Sequence, residues 1–482
     1  MTGGPRRDPI SSSVADELLR KGFHIAFGAG ALLLRWLEPW QAVGFAALAL
    51  LFNLLLLHPL TGRRLLRPLE RDRGYSWGVI LYPAVVLGAI LVFHRRLELA
   101  AAVWGLLAFG DGMAGVAGVA VGGPRLPWNP RKTWFGLLAF VLWGGTAAMF
   151  LVRWTQLAII EPGPRAAAAS AHVGSSFLVT SAQDAIVSQS TLLLAGCLVA
   201  ALVAGIVESS ETGVDDNVTV GVIGSAVVFA ASQVEPSRLV EAAGALGTGA
   251  LWGGVVTAFL AVGAYAVRGV DRSGALVGWL LGTLLFTFGG WRGYLMLVAL
   301  FVLGTAATRL GHHGKSRLGI AQERGGRRGA RHALANTVVG VAAAMLAVAT
   351  PDRELFTLAL VAAFATATCD TASSEIGQAY GRYHFLVTRW RSVAAGTEGA
   401  VSLIGTLAGV ASATALSAVA ASTGLIPWSA APAVVTGAFV GTAVESLIGS
   451  TAAGRRLSNE TLNVTNTVVG AGVACAVYLW LR

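Results

Sequence analysis

The sequence predicts an all-α, polytopic transmembrane protein of about fifteen spans, arranged as two related halves in parallel orientation. Apolar runs of about 17–25 residues recur along the 482-residue chain, each long enough to cross a bilayer as a helix. Only 12% of residues are charged, about half the share of an ordinary soluble domain, and mean hydropathy is +0.67. Strands this apolar on both faces would leave backbone groups unpaired in lipid, so the spans must be helices. Finally, a set of polar motifs occurs twice in the same order.

In the first half, the spans fall near 23–37, 40–58, 75–94, 97–122, 134–152, 191–207 and 218–232. Those of the second half fall near 243–267, 273–289, 291–308, 333–349, 355–376, 398–420, 431–450 and 461–481. The segment 232–242 is the expected boundary, leaving domains at 15–231 and 243–482. Basic loops alternate with poorer ones. The rich ones hold Arg63, Arg64, Arg67, Arg71 and Arg73; Arg125, Arg131 and Lys132; Arg309 through Arg331; Arg382, Arg389 and Arg391; and Arg455 and Arg456. With fifteen spans and an inside N-terminus, all of these loops fall on the cytosolic side of a cytoplasmic membrane, and the C-terminus falls outside. Residues 153–190 form the longest outer loop, expected to be a connector. The polar N-terminus carries no cleavable signal pattern, so the first apolar run is expected to be retained.

The net charge of +10 admits nucleic-acid binding in principle. Its placement in short inter-span loops points instead to topology control, so no nucleic-acid partner is expected. The three cysteines, Cys197, Cys369 and Cys475, lie in apolar runs and form neither a CxxC pair nor a disulfide framework.

The chemistry centres on Gly110-Asp111-Gly112-Met113-Ala114, with Gly118 seven residues beyond the acid, and on Lys132-Thr133 with Gly136. A carboxylate at the centre of a membrane helix costs about 2.5–3.5 kcal/mol on insertion scales, so it usually faces a site or a partner. The inner ends of the first half also offer Lys21, His24, Glu208, Asp215, Asp216 and Asn217. Acids and an amide of this kind suit Mg²⁺, with Asp111, Glu208 and Asp216 as ligands. Lys132 and the helix start at Thr133–Gly136 suit phosphates, and one aspartate can take a hydroxyl proton. Phosphoryl transfer needs mainly such positioning and charge neutralisation. The plainer readings are anchoring at the inner face for Arg131 and Lys132, an interfacial hydrogen bond for His24, and helix capping for Asp215-Asp216-Asn217. Gly110, Gly112, Gly115 and Gly118 also fit small-residue helix packing. No G-x-x-x-x-G-K-[ST] pattern occurs, which argues against a P-loop.

Asp111…Gly118 is echoed by Asp370…Gly377, Thr133…Gly136 by Thr397…Gly399, Glu208-Ser209 by Glu445-Ser446, and Asn217…Gly224 by Asn463…Gly470. Arg20-Lys21…His24 is echoed more weakly by Arg328…Arg331-His332. Shared order and shared span direction imply a parallel repeat with one site per half. The second set comprises Asp370 and Glu375 as catalytic acids, Asp370 and Glu445 as metal ligands, and Arg331, Asn336, Gly396, Thr397, Gly399, Asn459 and Asn463 as binding residues, with Ser373 and Glu398 also polar in this half. The Lys-Thr step has no copy here, so Arg331, Arg389 or Arg391 must supply the positive charge.

On these residues the first half resembles the CTP-dependent polyprenol kinases, the group of phytol, farnesol and dolichol kinases. The matching features are Arg20-Lys21-x-x-His24, Asp111-x-x-Ala114-x-x-x-Gly118, Lys132-Thr133-x-x-Gly136, and Glu208 with Asp216-Asn217. Phe135 stands where that family carries Glu, and Gly221 where it carries Pro. The second half resembles the phytyl-phosphate kinases through Gly289-Gly290-Trp291-Arg292-Gly293, Asp370-Thr371-Ala372-Ser373-Ser374-Glu375-Ile376-Gly377, Gly396-Thr397-Glu398-Gly399, Glu445-Ser446 and Ser458-Asn459-Glu460-Thr461-Leu462-Asn463. The resemblance implies a fusion that phosphorylates a prenyl alcohol (phytol, geranylgeraniol or farnesol) and then the monophosphate in isoprenoid salvage, with Mg²⁺ and CTP or another nucleoside triphosphate. A CDP-diacylglycerol synthase-like cytidylyltransferase shares the Asp…Lys-Thr-x-x-Gly arrangement, but its acid-rich closing stretch does not occur here. A secondary transporter would share the repeat and the intramembrane acids, yet its site would lie near the midplane and not at the inner ends.

Overall fold

The computed structural model describes residues 9–57, 77–160, 178–310, 329–388 and 391–482. The basic loop from Arg63 to Arg73, residues 161–177 of the 153–190 connector, most of the 309–331 loop and Arg389 lie outside them. Among the described residues, eleven helices are long and apolar enough to cross a membrane, and Trp77–Val92 and Asp216–Ser232 are shorter apolar helices. The chain divides into two compact units, Met1–Val234 and Glu235–Arg482.

Unit 1 opens with α1 (Pro9–Gly28), which tightens into a narrow helical turn at Ala29–Arg35. The expected span 23–37 is therefore the end of one helix plus this turn. α2 (Pro39–Phe52) starts at a proline, with Glu38 N–H donating to Gln41 Oε1 at 2.8 Å. α3 (Trp77–Val92) leads into α4 (Leu97–Ala120), which widens by one residue per turn at Leu106–Asp111. Such wide turns alter side-chain phase within a continuous helix. A short antiparallel ribbon, β1 (Arg125–Leu126) and β2 (Asn129–Thr133), follows. Thr133 then caps α5 (Trp134–Leu157), its Oγ1 accepting from Gly136 N–H at 3.1 Å. α5 has its own wide turn at Phe140–Gly144, which lies against that of α4. A Cβ on Gly144 would sit 2.9 Å from Gly110 Cα, so the two backbones touch through glycine. α6 (Leu178–Glu208) and α7 (Asp216–Ser232) complete the unit.

Unit 2 begins with α8 (Pro236–Ala266) and α9 (Arg272–Arg309). The expected spans 273–289 and 291–308 are the two arms of α9, broken at Gly290, whose φ of 64° and ψ of −173° no β-carbon tolerates well. The arms fold back on each other. Phe286 and Tyr294 have ring centroids 5.8 Å apart, and a Cβ on Gly282 would lie 3.1 Å from the Tyr294 ring, whereas twelve residues of straight helix would separate those positions by about 18 Å. α10 (Ala330–Ala349) and α11 (Arg353–Tyr380) follow. The expected span at 398–420 starts later, because residues before Leu403 form a sheet. β3 (His384–Leu386) is paired antiparallel with both β4 (Arg391–Val393) and β5 (Ala400–Val401). Ser402 then caps α12 (Leu403–Ser422), accepting from Gly405 N–H at 3.2 Å. α13 (Ala431–Gly449) packs on α14 (Asn459–Leu481) at a glycine contact between Gly437 and Gly470. The core is alanine- and leucine-rich, with Phe364, Leu285 and Met296 fully enclosed.

Candidate active sites

Unit 1 gathers the predicted acids from the interior of α4, the last residue of α6 and the first residue of α7. Carboxylate oxygens of Asp111, Glu208 and Asp216 lie within 4.8 Å of one another. Lys21, from α1, reaches both oxygens of Asp111, at 2.9 Å and 2.7 Å. His24, one turn further along α1, places Nε2 2.9 Å from Leu107 O and 3.5 Å from Asp111 Oδ2. Both Leu107 and Asp111 belong to the wide turn at Leu106–Asp111, which presents them together to α1. Lys132 is paired with Glu208 and lies 3.5 Å from Asp216 Oδ2. Burial works against its charge, but Glu208 and Asp216 overcome this and raise its pKa above the ordinary lysine value. Two ammoniums against three carboxylates leave one net negative charge, a balance that an added divalent cation and a polyanion would alter together.

The local sequence explains the fit. A Cβ on Gly115 would lie 2.6 Å from Lys21 Cε, so glycine there opens the path of the lysine. Gly136 passes Ala114 O with no room to spare, and Gly118 sits beside Thr133 Oγ1. Thr133 is thus the N-terminal cap of α5. Asp215, not Asp216, is the cap of α7, its Oδ1 accepting from Asn217 N–H at 3.0 Å. Asp216 is left facing the cluster with half its side chain exposed, at 49%. The amide of Asn217 donates to Asp215 Oδ1 at 2.9 Å, while its own buried Oδ1 has no hydrogen-bond partner among the described residues. Phe135, the departure from the kinase pattern, packs its ring on Gly123 of the ribbon, where φ is 98°. Three contacts were not foreseen: Tyr82 with its ring 4.2 Å from His24, Trp128 Nε1 donating to Ser209 Oγ at 3.1 Å, and Asn129 Nδ2 donating to Ser209 O at 3.0 Å. Only their polarity beside the motif marked them.

Unit 2 encloses a cavity of about 450 Å³ lined by Asp370, Gly396, Thr397, Gly399, Glu445 and Asn459 among others. Asp370 and Glu445 are in hydrogen-bonding contact, and Asn466 Nδ2 donates to Glu445. Two acidic side chains in contact require a shared proton or a cation between them. The buried Oδ1 of Asn466 has no hydrogen-bond partner among the described residues. Gly399 carries a φ of 74°, and a Cβ there would meet Ser450 N at 2.4 Å. Glycine is therefore required on both counts. Gly396 also has positive φ, at 84°.

Four predicted residues of unit 2 are not brought to this cavity. Glu375 follows Asp370 by five residues on α11, about 140° around the helix, and is buried off the cavity. Asn463 is buried on α14 one turn beyond Asn459, and Asn466 takes the place expected of it. Arg331 and Asn336 sit in the first two turns of α10; Asn336 donates to His332 O at 2.9 Å and faces an apolar groove between α8, α9 and α10. The capping role of Thr133 is taken in unit 2 by Ser402, whereas Thr397 donates its hydroxyl to Ala394 O at 2.8 Å. Among the described lining residues there is no lysine or arginine, and His384, bonded to Gly377 O at 3.1 Å, is the nearest to a base. Arg391 lies exposed on β4.

A family model described as integral membrane protein DUF92 matches residues 255–478. An uncharacterized membrane protein of Synechocystis sp. is 39% identical over 203 residues, covering 41% of this chain and 79% of that protein. The chain belongs to the DUF92 family of integral membrane proteins. The DUF92 match takes in Asp370, the 396–399 turn and Glu445. Protein VTE6, chloroplastic, of Arabidopsis thaliana is 38% identical over 216 residues, 43% of this chain and 65% of that protein. Probable phytol kinase 2, chloroplastic, of Oryza sativa is 27% identical over 217 residues, 42% of this chain and 62% of that protein. The chain thus spans just under two thirds of these two plant relatives. No solved structure matches it.

Proposed function

We propose that the protein is a bifunctional membrane kinase, converting a prenyl alcohol to its monophosphate in unit 1 and the monophosphate to the diphosphate in unit 2. The observation that carries this reading is the triad of Asp111, Glu208 and Asp216 within 4.8 Å, interleaved with Lys21 and Lys132. Relatives named as phytol kinases support the substrate class. Prenyl alcohols and monophosphates reach the protein through the bilayer, and the nucleotide, CTP or another triphosphate, arrives from the cytosol at the inner face of the cytoplasmic membrane. Such a reaction belongs to isoprenoid salvage, and the two sites reflect an internal duplication.

The donor set of hard carboxylate oxygens fits Mg²⁺ at Asp111, Glu208 and Asp216, and in unit 2 at Asp370 and Glu445. When bound, the cation supplies charge neutralisation for the transferring phosphoryl group. Lys21 holds Asp111 in place. Lys132 leaves Glu208 for the phosphates, to which it offers a point charge. Asp216 is exposed and has the looser lysine contact, so it accepts the proton of the prenyl hydroxyl as the oxygen attacks phosphorus and the donor's terminal P–O bond breaks. Gly136 N–H is already used by Thr133, so the cap orients β2 and Lys132 instead of binding phosphate.

Purified full-length protein with radiolabelled prenyl alcohol and γ-labelled CTP or ATP tests the reading. Transfer of γ-label, first to monophosphate and then to diphosphate, is expected. Incorporation of CMP would assign a cytidylyltransferase, and uptake into proteoliposomes without phosphorylation would assign a transporter.

A further inference from the structure

We propose that the apolar groove of unit 2 holds the isoprenoid chain of a prenyl monophosphate, with its phosphate at a rim of arginines. The groove encloses about 400 Å³ between α8, the arms of α9 and α10, within the usual range for small-ligand sites. Leu260, Leu281, Tyr294, Val298 and Phe301 form its apolar wall, and Gly278 leaves it open. Polar side chains enter at the α10 end, as His332, Asn336 and Thr337, while the hydroxyl of Thr257 on α8 is taken up by Thr283 Oγ1 at 2.8 Å. This segregation of polar and apolar lining is the shape of an amphiphile.

Four exposed arginines flank that end. Arg268 and Arg272 bracket the turn from α8 to α9, Arg331 precedes His332, and Arg309 closes α9. Arg309 Nη2 donates to Val267 O at 3.5 Å, which fixes it at the rim. The acid in the same turn, Asp271, caps α9 by accepting from Gly274 N–H at 2.8 Å. Among the described residues, guanidiniums outnumber carboxylates at this end, which favours an anionic headgroup over a neutral alcohol. The narrow single groove favours one chain over the two of a phospholipid. Counted from the turn at Thr350–Asp352, Asn336 lies 14 residues back and Asp370 18 residues on, so they stand at the same depth to within about one helical turn. α10 and α11 are packed neighbours. The lining of the groove comes from α8 to α10 and that of the acid cavity from α11 to α14 and the sheet; that the cavity phosphorylates the groove's occupant rests on the kinase reading of unit 2.

The test uses the full chain in lipid nanodiscs and a C20 isoprenyl monophosphate carrying a terminal diazirine. Photolabelling is expected within 257–302, displaced by unlabelled isoprenyl monophosphate but not by equal isoprenyl alcohol or phosphatidic acid. A Cβ at Gly278 meets nothing within 4 Å, so Gly278→Phe starts its side chain in open space at the groove wall. It should cut labelling at least tenfold with the melting temperature retained. Arg309→Gln should weaken displacement by the monophosphate about tenfold. Labelling outside the groove, equal displacement by phosphatidic acid, or wild-type labelling in both variants would overturn the assignment. Labelling as expected with no phosphate transfer to the monophosphate would keep the groove and sink the kinase reading of unit 2. Transfer with unaltered labelling of both variants would sink the groove alone.

Discussion

Lys21 and Asp111, 90 residues apart in the chain, form a two-pronged ion pair, with Nζ 2.7 Å and 2.9 Å from the two carboxylate oxygens. Both side chains are largely buried, at 13% and 6% exposure. Removing one member of such a pair strands the other charge, at a cost of about 3–5 kcal/mol. Lys21→Met should therefore lower the melting temperature in detergent. The Lys21→Met/Asp111→Leu double variant should recover part of that loss while staying inactive on the alcohol.

Asp111→Asn should abolish formation of the monophosphate and spare its conversion to the diphosphate. Asp370→Asn should do the reverse and accumulate monophosphate. Thin-layer separation of labelled products decides both. If either substitution in well-folded protein abolishes both steps, the two-site division fails.

Asp215 and Asp216 are neighbours with different duties. Asp215→Ala removes a helix cap worth about 0.5–2 kcal/mol, lowering stability while turnover survives. Asp216→Asn removes the proposed proton acceptor and should lower kcat by about 10²–10⁴-fold with little change in melting temperature. Mg²⁺ titration after chelator treatment should also show a higher half-saturation for Asp216→Asn.

Lys132 is a base whose folded pKa is raised above its unfolded value. Its stabilising effect is fully present below the unfolded pKa, about 10.4, and is lost as pH rises through the folded pKa. Melting temperatures from pH 8 to 11.5 should fall more steeply for wild type than for Lys132→Gln at the alkaline end. Between pH 6 and 9 the lysine stays charged, so any activity limb there belongs to other groups and should persist in Lys132→Arg.

Gly399→Ala combines a positive φ with overlap against Ser450 N. Backbone strain alone costs about 1–3 kcal/mol. The variant should lose diphosphate formation with unit 1 turnover retained, measured on the isolated monophosphate.

Much of this was legible because membrane helices announce themselves by length and hydropathy, and because acids inside apolar runs are few. Asp111, Glu208, Asp216 and Lys132 were each found by being polar in the wrong place, and the structure brings them together. Asn466 escaped notice: in a run of Asn and Thr, only the helix phase relative to Glu445 distinguishes it from Asn463. The cap at Ser402 was obscured by the more conspicuous Gly396-Thr397-Glu398-Gly399 motif, which forms a turn instead. Glu375 was chosen from a motif whose linear order hides that five residues turn a helix away from its starting face. The hairpin at Gly290 was readable as two spans, although not as a reversal at a single residue.

The facing wide turns of α4 and α5 act as a one-residue slack in each helix. Each absorbs a residue that an ordinary helix of the same length would not hold, and the Gly110–Gly144 contact ties the two excesses together. Deleting one residue from Leu106–Ala108 would let α4 revert to regular winding while the segments on both sides keep their phase, because the residue removed is the excess one. The same deletion in a regularly wound turn of α4, with no excess to draw on, would swing everything on one side by about 100°. Two deletions a few residues apart would thus differ sharply in effect, with no catalytic side chain altered in either.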